Sequence, residues 1–353
     1  MNPGDMVAGR YRVDAVLDNT REWTQVWFGE DTLLLRPVTV RVLDAGDPRT
    51  PTAVDGARTA AGIDDGGFVR VLDVEDAVPV SESATTAEHA HIVSSYLSGE
   101  LLVDVLVDGP LDPIEAADLI ADLADSIAVA HDHGMTHGVL DPVHVIVAPG
   151  GEVAVIELGV ANALSTSIAA ETHGAPSIDT DREAEAAQQK LADVRHLGGL
   201  LYACLTGRWP LPGTCGLPPA AQDKGRPLGP RRARANLPAP LDRICRRALG
   251  EEVANEPAID GARELAAALR AWLGRSGASA SERMERRTTS TGPVTAMGRK
   301  PKNPARRAIV AVLIVAVVIL VGGLVFLGLQ VLDASFREPD GSPLPGPASN
   351  STP

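Results

Sequence analysis

Aromatic residues are scarce in this 353-residue chain: four Phe, four Trp and three Tyr, or 3% of the total. That leaves little with which to build a base-stacking or sugar-stacking surface. Cysteine is scarcer still. Cys204, Cys215 and Cys245 form no CxxC pair and no metal-ligand spacing, and an odd count gives no disulfide framework. Positive charge is in deficit, with 32 Lys and Arg against 46 Asp and Glu and a net charge of −14. A nucleic-acid binder carries a basic surplus or a dense basic face, so no nucleic-acid partner is expected. What is abundant is apolar. Hydrophobic residues make up 44% of the chain, enough to bury a core and too much for wholesale disorder.

The charge is unevenly placed. Residues 276–353 hold nine basic and five acidic side chains, which leaves −18 for residues 1–275. Within that C-terminal part, 309–329 reads IVAVLIVAVVILVGGLVFLGL, 21 residues without a charge. Such a run crosses a bilayer as a helix, whereas a core helix of that length would show a polar face. Gly322 and Gly323 are compatible with a membrane helix, and the position is not that of a signal peptide. A single transmembrane helix is therefore expected over 308–329. Eight Lys and Arg against two Glu precede it in 276–307, whereas Asp333, Arg337, Glu338 and Asp340 follow it. By the positive-inside rule this is a single-pass protein of the cell membrane, with a cytoplasmic N-terminal domain and an outside tail, 330–353. The tail is rich in Pro, Ser and Gly and too short for a core. The linker 275–307 has little apolar periodicity and reads as a disordered, basic, Thr/Ser/Pro-containing juxtamembrane segment. The cysteines are then expected as free thiols in a reducing compartment.

Strand signals fill the N-terminal part. Residues 24–29 lead through a turn to 38–43, which alternates cleanly, and further β-like runs cover 68–74 and 91–97. A loop of small and acidic residues, 76–90, separates the last two. After Gly99 the signals become helical. Asp112-Pro113-Ile114-Glu115 offers a cap, a first-position proline and a first-turn acid. Ile120, Leu123, Ile127 and Ala130 then recur at helical spacing up to a stop at Gly134. Further helices are expected over 191–206, and from a capping Asp260 through Leu265, Leu269 and Trp272 to Gly274. The pattern predicts an α+β fold with a small β-rich lobe, 1–97, and a larger helical lobe, 98–274.

Four segments in this order resemble the bacterial Ser/Thr protein kinases. Tyr11-Arg12-Val13 followed by Arg36-Pro37-Val38-Thr39-Val40-Arg41-Val42-Leu43 is similar to that family's opening, up to its VAVKVL strand. His131–Pro142 resembles the segment ending in HRDLKP, Val155–Ala161 resembles IDFGIA, and Asp193–Pro210 resembles DVYSLG…LLTGRPP. The resemblance covers about 8–274 and implies a bilobal kinase-like fold.

Phosphoryl transfer needs the nucleotide held, its charge neutralised by metal and the acceptor hydroxyl oriented. The residues at the positions for these jobs depart from the family's. The stretch matching the glycine-rich loop, 17–26, has no glycine, and Asp18 and Glu22 would place negative charge beside a triphosphate. Arg41 stands at the phosphate-lysine position, and a guanidinium fork does not replace a compact ammonium. Thr39 shares its strand face, where the family has a small residue over adenine. The helix that supplies the lysine's glutamate partner aligns with 55–61, which contains no Glu. Val139 replaces the acceptor-orienting aspartate and can take no proton. Gly138 replaces the arginine before it, and Asp141 reverses the loop lysine. His144 stands for the metal-binding asparagine, and Glu157 for the metal-binding aspartate. Ser177 and Glu256 replace the two halves of a buried ion pair, so neither charge is left alone. Gly99, Gly134, Leu140, Pro142, Gly159, Asp193, Gly198 and Trp209 keep the family's architectural positions, and Asp193 is expected to brace the catalytic loop.

The expectation is a degenerate branch of that family: a catalytically inactive, membrane-anchored pseudokinase acting as a signalling scaffold or regulator. No catalytic residue, metal or cofactor is assigned. Thr39, Arg41 and Glu157 are the candidates for residual nucleotide contact, and Glu157 for residual metal contact. Thr288, Thr289, Thr291 and Thr295 are candidate phosphoacceptors, and a phosphate there would be an exposed dianion readable by an Arg-lined pocket. The partners implied are the membrane, a forkhead-associated phosphopeptide-binding protein and an active Ser/Thr kinase, and the resemblance extends to cell-wall signalling. The alternative is an atypical Ser/Thr kinase with residual ATP binding, in which Asp141 or a partner's carboxylate replaces Val139 and Glu157 holds metal.

Overall fold

The computed structural model describes residues 1–76, 89–165 and 179–276. They belong to the first of two compact units, Met1–Gly292; the second, Pro293–Pro353, lies outside the described residues. So do the expected membrane helix 308–329, the linker from 277, the tail 330–353, Ser177 and the four linker threonines. Among the described residues no helix is long and apolar enough to cross a membrane.

The N-terminal part is one six-stranded antiparallel sheet and a helix. β1 (Met6–Val7), β2 (Tyr11–Arg21), β3 (Thr24–Asp31), β4 (Arg36–Asp44), β5 (Val71–Glu75) and β6 (His89–Ser95) lie in the order β1-β2-β3-β4-β6-β5. Helix α1 (Thr50–Ala60) follows β4. Strand alternation sorts the side chains of β4. Val38, Val40 and Val42 pack with Tyr11, Val13, Trp27 and Val93 on one face of the sheet. Leu43 packs on the other with Ala53, Val54 and Ala57 of α1. Thr39 and Arg41 share Leu43's parity and so face the same way.

The helical part begins with β7 (Glu100–Leu101) and α2 (Leu102–Val107), then α3 (Pro113–Asp132). Asp112 caps α3 by accepting from the Ile114 amide at 2.9 Å, and Gly134 past its end has φ +75°. Ile120, Leu123, Ile127 and Ala130 of α3 are fully buried in the largest core. A 3₁₀ turn (Pro142–His144), β8 (Val145–Val147), β9 (Val153–Val155) and α4 (Ala161–Ser165) form the region under the sheet. The hairpin β8–β9 pairs Val145 with Val155.

Helix α5 (Asp179–Thr206) starts well before the 191 expected from periodicity, because residues 183–189 are exposed and carry no apolar stripe. The hairpin β10 (Gln222–Asp223) and β11 (Arg226–Pro227) precedes α6 (Pro230–Ala233), α7 (Ala239–Ala248) and α8 (Ala262–Arg275). The expected cap at Asp260 is not made. Gly261 holds the cap position without a side-chain hydrogen bond, and the helix begins at Ala262. Leu265, Leu269 and Trp272 are buried as their spacing requires, and α8 packs along α3. The three cysteines are free and buried, and burial pushes their thiols up.

Candidate functional site

The site forms where the inner face of β4 meets the loops around β8 and β9. Arg41 is buried, with Nη1 3.5 Å from Thr24 Oγ1 on the neighbouring strand. Its Nη2 donates to Glu157 Oε1, just past β9. Glu157 has φ +66°, the left-handed region that an L side chain seldom occupies. Its carbonyl accepts from the Val160 and Ala161 amides at the start of α4, which holds that geometry. The second carboxylate oxygen lies 3.7 Å from His144 Nε2. His144 Nδ1 lies 2.9 Å from Asp141 Oδ1, which also accepts from the Val143 amide at 2.9 Å. Arg41, Glu157, His144 and Asp141 thus form one continuous polar chain.

That chain brings together four of the five degenerate positions singled out in the sequence. The fifth, Val139, lies half-buried on the same loop as Asp141. Thr39 is on the Arg41 face, paired in register with Phe28 and Ser94. No group of three His, Cys, Asp or Glu side chains among the described residues has metal-binding geometry.

The loop is braced as expected of Asp193. Its carboxylate accepts from the Gly138 amide at 2.7 Å and the His137 amide at 2.9 Å, and lies 2.9 Å from His131 Nε2. Burial alone would raise this carboxyl, but those hydrogen bonds outweigh it and hold it below its ordinary value. His137, fully buried, lies 3.1 Å from the Ile156 carbonyl through Nε2 and packs edge-on against the His144 ring. Burial, with a smaller contribution from His144, pushes its imidazole down to about 4.

Gly138, which the sequence marked as replacing an arginine, and two residues that it did not single out shape this site. Gly138 has φ +84°, and a Cβ there would fall 2.0 Å from Asn162 Oδ1. The space beside it is occupied by Asn162. Gly56 of α1 faces Gly159 so closely that a Cβ on it would fall 1.8 Å from the Gly159 carbonyl oxygen. Helix and loop therefore touch backbone to backbone where a larger residue would hold them apart. The neighbouring Asp55 points to solvent at 78% exposure and pairs with Arg58. Helix α1 offers Arg41 no carboxylate, and Glu157 takes that role.

Trp23 is the third. It sits in the two-residue turn between β2 and β3, at the tip of the stretch that matches the glycine-rich loop. Rather than leaving the loop open, its indole is buried with Leu43, Ala53, Val54, Ala57, Val160, Ala163 and Leu164. The Arg49 guanidinium stacks on it at 4.3 Å, and its carbonyl accepts from the Asp44 amide at 2.8 Å. Asp18 folds onto its own turn, accepting from the Thr20 amide at 3.0 Å. Glu22 remains exposed. A lone Trp between two strands gave no periodic signal, so its inward turn was not legible beforehand. Glu256, expected only as half of a lost pair, is held by Arg243 at 2.6 Å and Arg247 at 3.3 Å.

The Ser/Thr-protein kinase PknB of Mycolicibacterium smegmatis is 30% identical over 244 residues, which cover 66% of this chain and 38% of that protein. PknB of Mycobacterium tuberculosis is 28% identical over the same length, and the kinase pkn2 of Myxococcus xanthus 28% over 219 residues. The chain is homologous to bacterial Ser/Thr protein kinases. It spans 38% of the length of the mycobacterial relatives. A crystal structure of Rad53 1-466 in complex with AMP-PNP matches with a TM-score of 0.52 and 15% identity, over 73% of this chain and 64% of that one. At that identity the match shows the fold alone, and the fold is kinase-like. No family model matches the chain.

Proposed function

We propose that this kinase homologue is catalytically silent and works as a membrane-anchored scaffold or regulator. The observation that carries this reading is the Arg41–Glu157 ion pair. In the kinase mechanism the first position holds phosphate and the second holds metal. Here each charge neutralises the other, and His144 stands at the remaining carboxylate oxygen. Val139 offers no carboxylate to orient an acceptor. Asp141, the alternative acid, is engaged by His144 and the Val143 amide. Trp23 in the core and a glycine-free loop remove the flexible backbone that would wrap phosphates.

The apolar run 309–329 and its basic flank support anchoring in the cell membrane with the body on the cytoplasmic side. Thr288, Thr289, Thr291 and Thr295 in that flank supply acceptors for an active Ser/Thr kinase. A forkhead-associated domain protein would then read the phosphate, in keeping with a role in cell-wall regulation. Incubating the full chain with γ-labelled ATP and Mg²⁺ or Mn²⁺ should give no label on itself or on a generic acceptor protein. Label that depends on Asp141 would establish the alternative of an atypical active kinase. Treatment with an active kinase should create binding to a phosphothreonine-reading domain, and a chain with the four threonines changed to Ala should lose it.

A further inference from the structure

The acidic body contains a strongly basic stretch. Between Arg208 and Arg247, nine Lys and Arg stand against Asp223 and Asp242 alone, within a body of net charge −18. Six of the nine have a partner within the fold; Arg234, for example, donates to the Leu111 and Leu205 carbonyls at 2.9 Å. Lys224, Arg226 and Arg231 are exposed, and their side chains have no partner among the described residues.

The fold brings the hairpin and the helix that carry these three next to each other. Lys224 at φ +53° and Gly225 at φ +78° make the two-residue turn of the β10–β11 hairpin, so Lys224 stands at its tip. Arg226 pairs across from Asp223 in that hairpin, and Asp223 is tied to α6 by Arg232 at 3.0 Å. Arg231 lies beside Arg232 on α6.

The same end of the body is where the described chain leaves. Ser276, Pro238 and Asp112 line one surface groove, and Arg234 is bonded to the residue before Asp112. From Ser276, 32 residues lead to the apolar run at 309. Even fully extended they span no more than about 110 Å. An anionic surface repels the rest of this body, and screening over about 8 Å confines attraction to charges at the contact.

We propose that the Lys224, Arg226 and Arg231 face docks the body onto the anionic lipid surface of the membrane in which its own chain is anchored. This rests on the reading of 309–329 as a membrane span. Docking fixes the orientation of a body that would otherwise be held only by its linker.

The test uses the full chain in nanodiscs of phosphatidylcholine, alone or with about 30% phosphatidylglycerol. The native cysteines are buried, so Ala221→Cys at the base of the hairpin takes a fluorophore selectively. Head-group spin-labelled lipid should quench that fluorophore in the anionic discs, and high salt should abolish the quenching. Each of Lys224→Gln, Arg226→Gln and Arg231→Gln should lower the docked fraction relative to the free about fivefold, and the three together about a hundredfold. Quenching that is equal in neutral discs, or unmoved by salt or the triple variant, overturns the docking. Absence of quenching in the anionic discs at low salt, from a chain that high salt does not release from the discs, overturns it too, and turns the face toward an acidic polypeptide. A chain released from the discs by salt overturns the membrane-span reading instead. The salt arm uses unsubstituted hairpin residues, so a misfolded variant cannot mask the result.

Discussion

Arg41 and Glu157, 116 residues apart in the chain, close on each other as an ion pair that leaves neither charge free for a ligand. The pair is nearly buried, with side-chain exposures of 8% and 16%. Removing either partner strands a charge in a poorly solvated place, whereas removing both does not. Arg41→Met and Glu157→Gln should therefore each cost about 3–5 kcal/mol. The double variant should cost less than their sum by about 1–3 kcal/mol. Urea denaturation measures all three, and simple additivity would show that the two side chains do not interact.

Trp23 should behave as a core residue although it lies in a hairpin turn. Trp23→Ala removes an indole that joins β4, α1 and α4, and is expected to cost about 3–5 kcal/mol. An exposed turn residue would cost under about 0.5 kcal/mol. Chemical denaturation separates these outcomes by a wide margin.

Gly56→Ala normally stabilises a helix by about 0.5–1 kcal/mol. Here the new Cβ would meet the Gly159 carbonyl oxygen at 1.8 Å, and backbone cannot swing away as a flexible side chain can. The substitution should destabilise by more than about 2 kcal/mol, the reverse of its propensity effect. A neutral or stabilising result would place α1 farther from the loop.

Acid should weaken the fold through His137. Burial pushes its folded pKa down to about 4, from an ordinary 6.5. Between those values the unfolded chain binds a proton that the folded one refuses, so stability falls as pH drops from 6.5 toward 4. The loss from this one group is about 3 kcal/mol. His196 and His91, also lowered by burial, act in the same direction. His137→Gln keeps a donor for the Ile156 carbonyl and should give a shallower dependence of stability on pH. An unchanged slope would mean that His137 is not held neutral.

Much of the fold was written in local signals. The Asp112-Pro113 cap, the spacing from Ile120 to Ala130 and the alternation of β4 depend on neighbouring residues, and each element formed where its pattern lay. The start of α5 did not follow this rule, because exposed helical turns carry no apolar period. At the site, Arg41, Asp141, His144 and Glu157 were legible only through the resemblance of the segments that carry them to kinase motifs. That they would bond to one another was not, since a contact across 116 residues leaves no trace in spacing. Trp23 and Gly56 were missed for a related reason. Their roles come from what stands opposite them, Leu164 and Gly159, and not from their neighbours in sequence.

The most direct test of a silent site is thermal unfolding of the full chain in saturating ATP, with Mg²⁺ and separately with Mn²⁺. A ligand present at a hundred times its dissociation constant stabilises a fold by about 2.7 kcal/mol. For a body of this size that is a rise in Tm of at least about 5 °C. With Arg41 and Glu157 neutralising each other, no metal-dependent rise beyond about 1 °C is expected. A rise of several degrees that requires the metal and disappears in Glu157→Gln would contradict it.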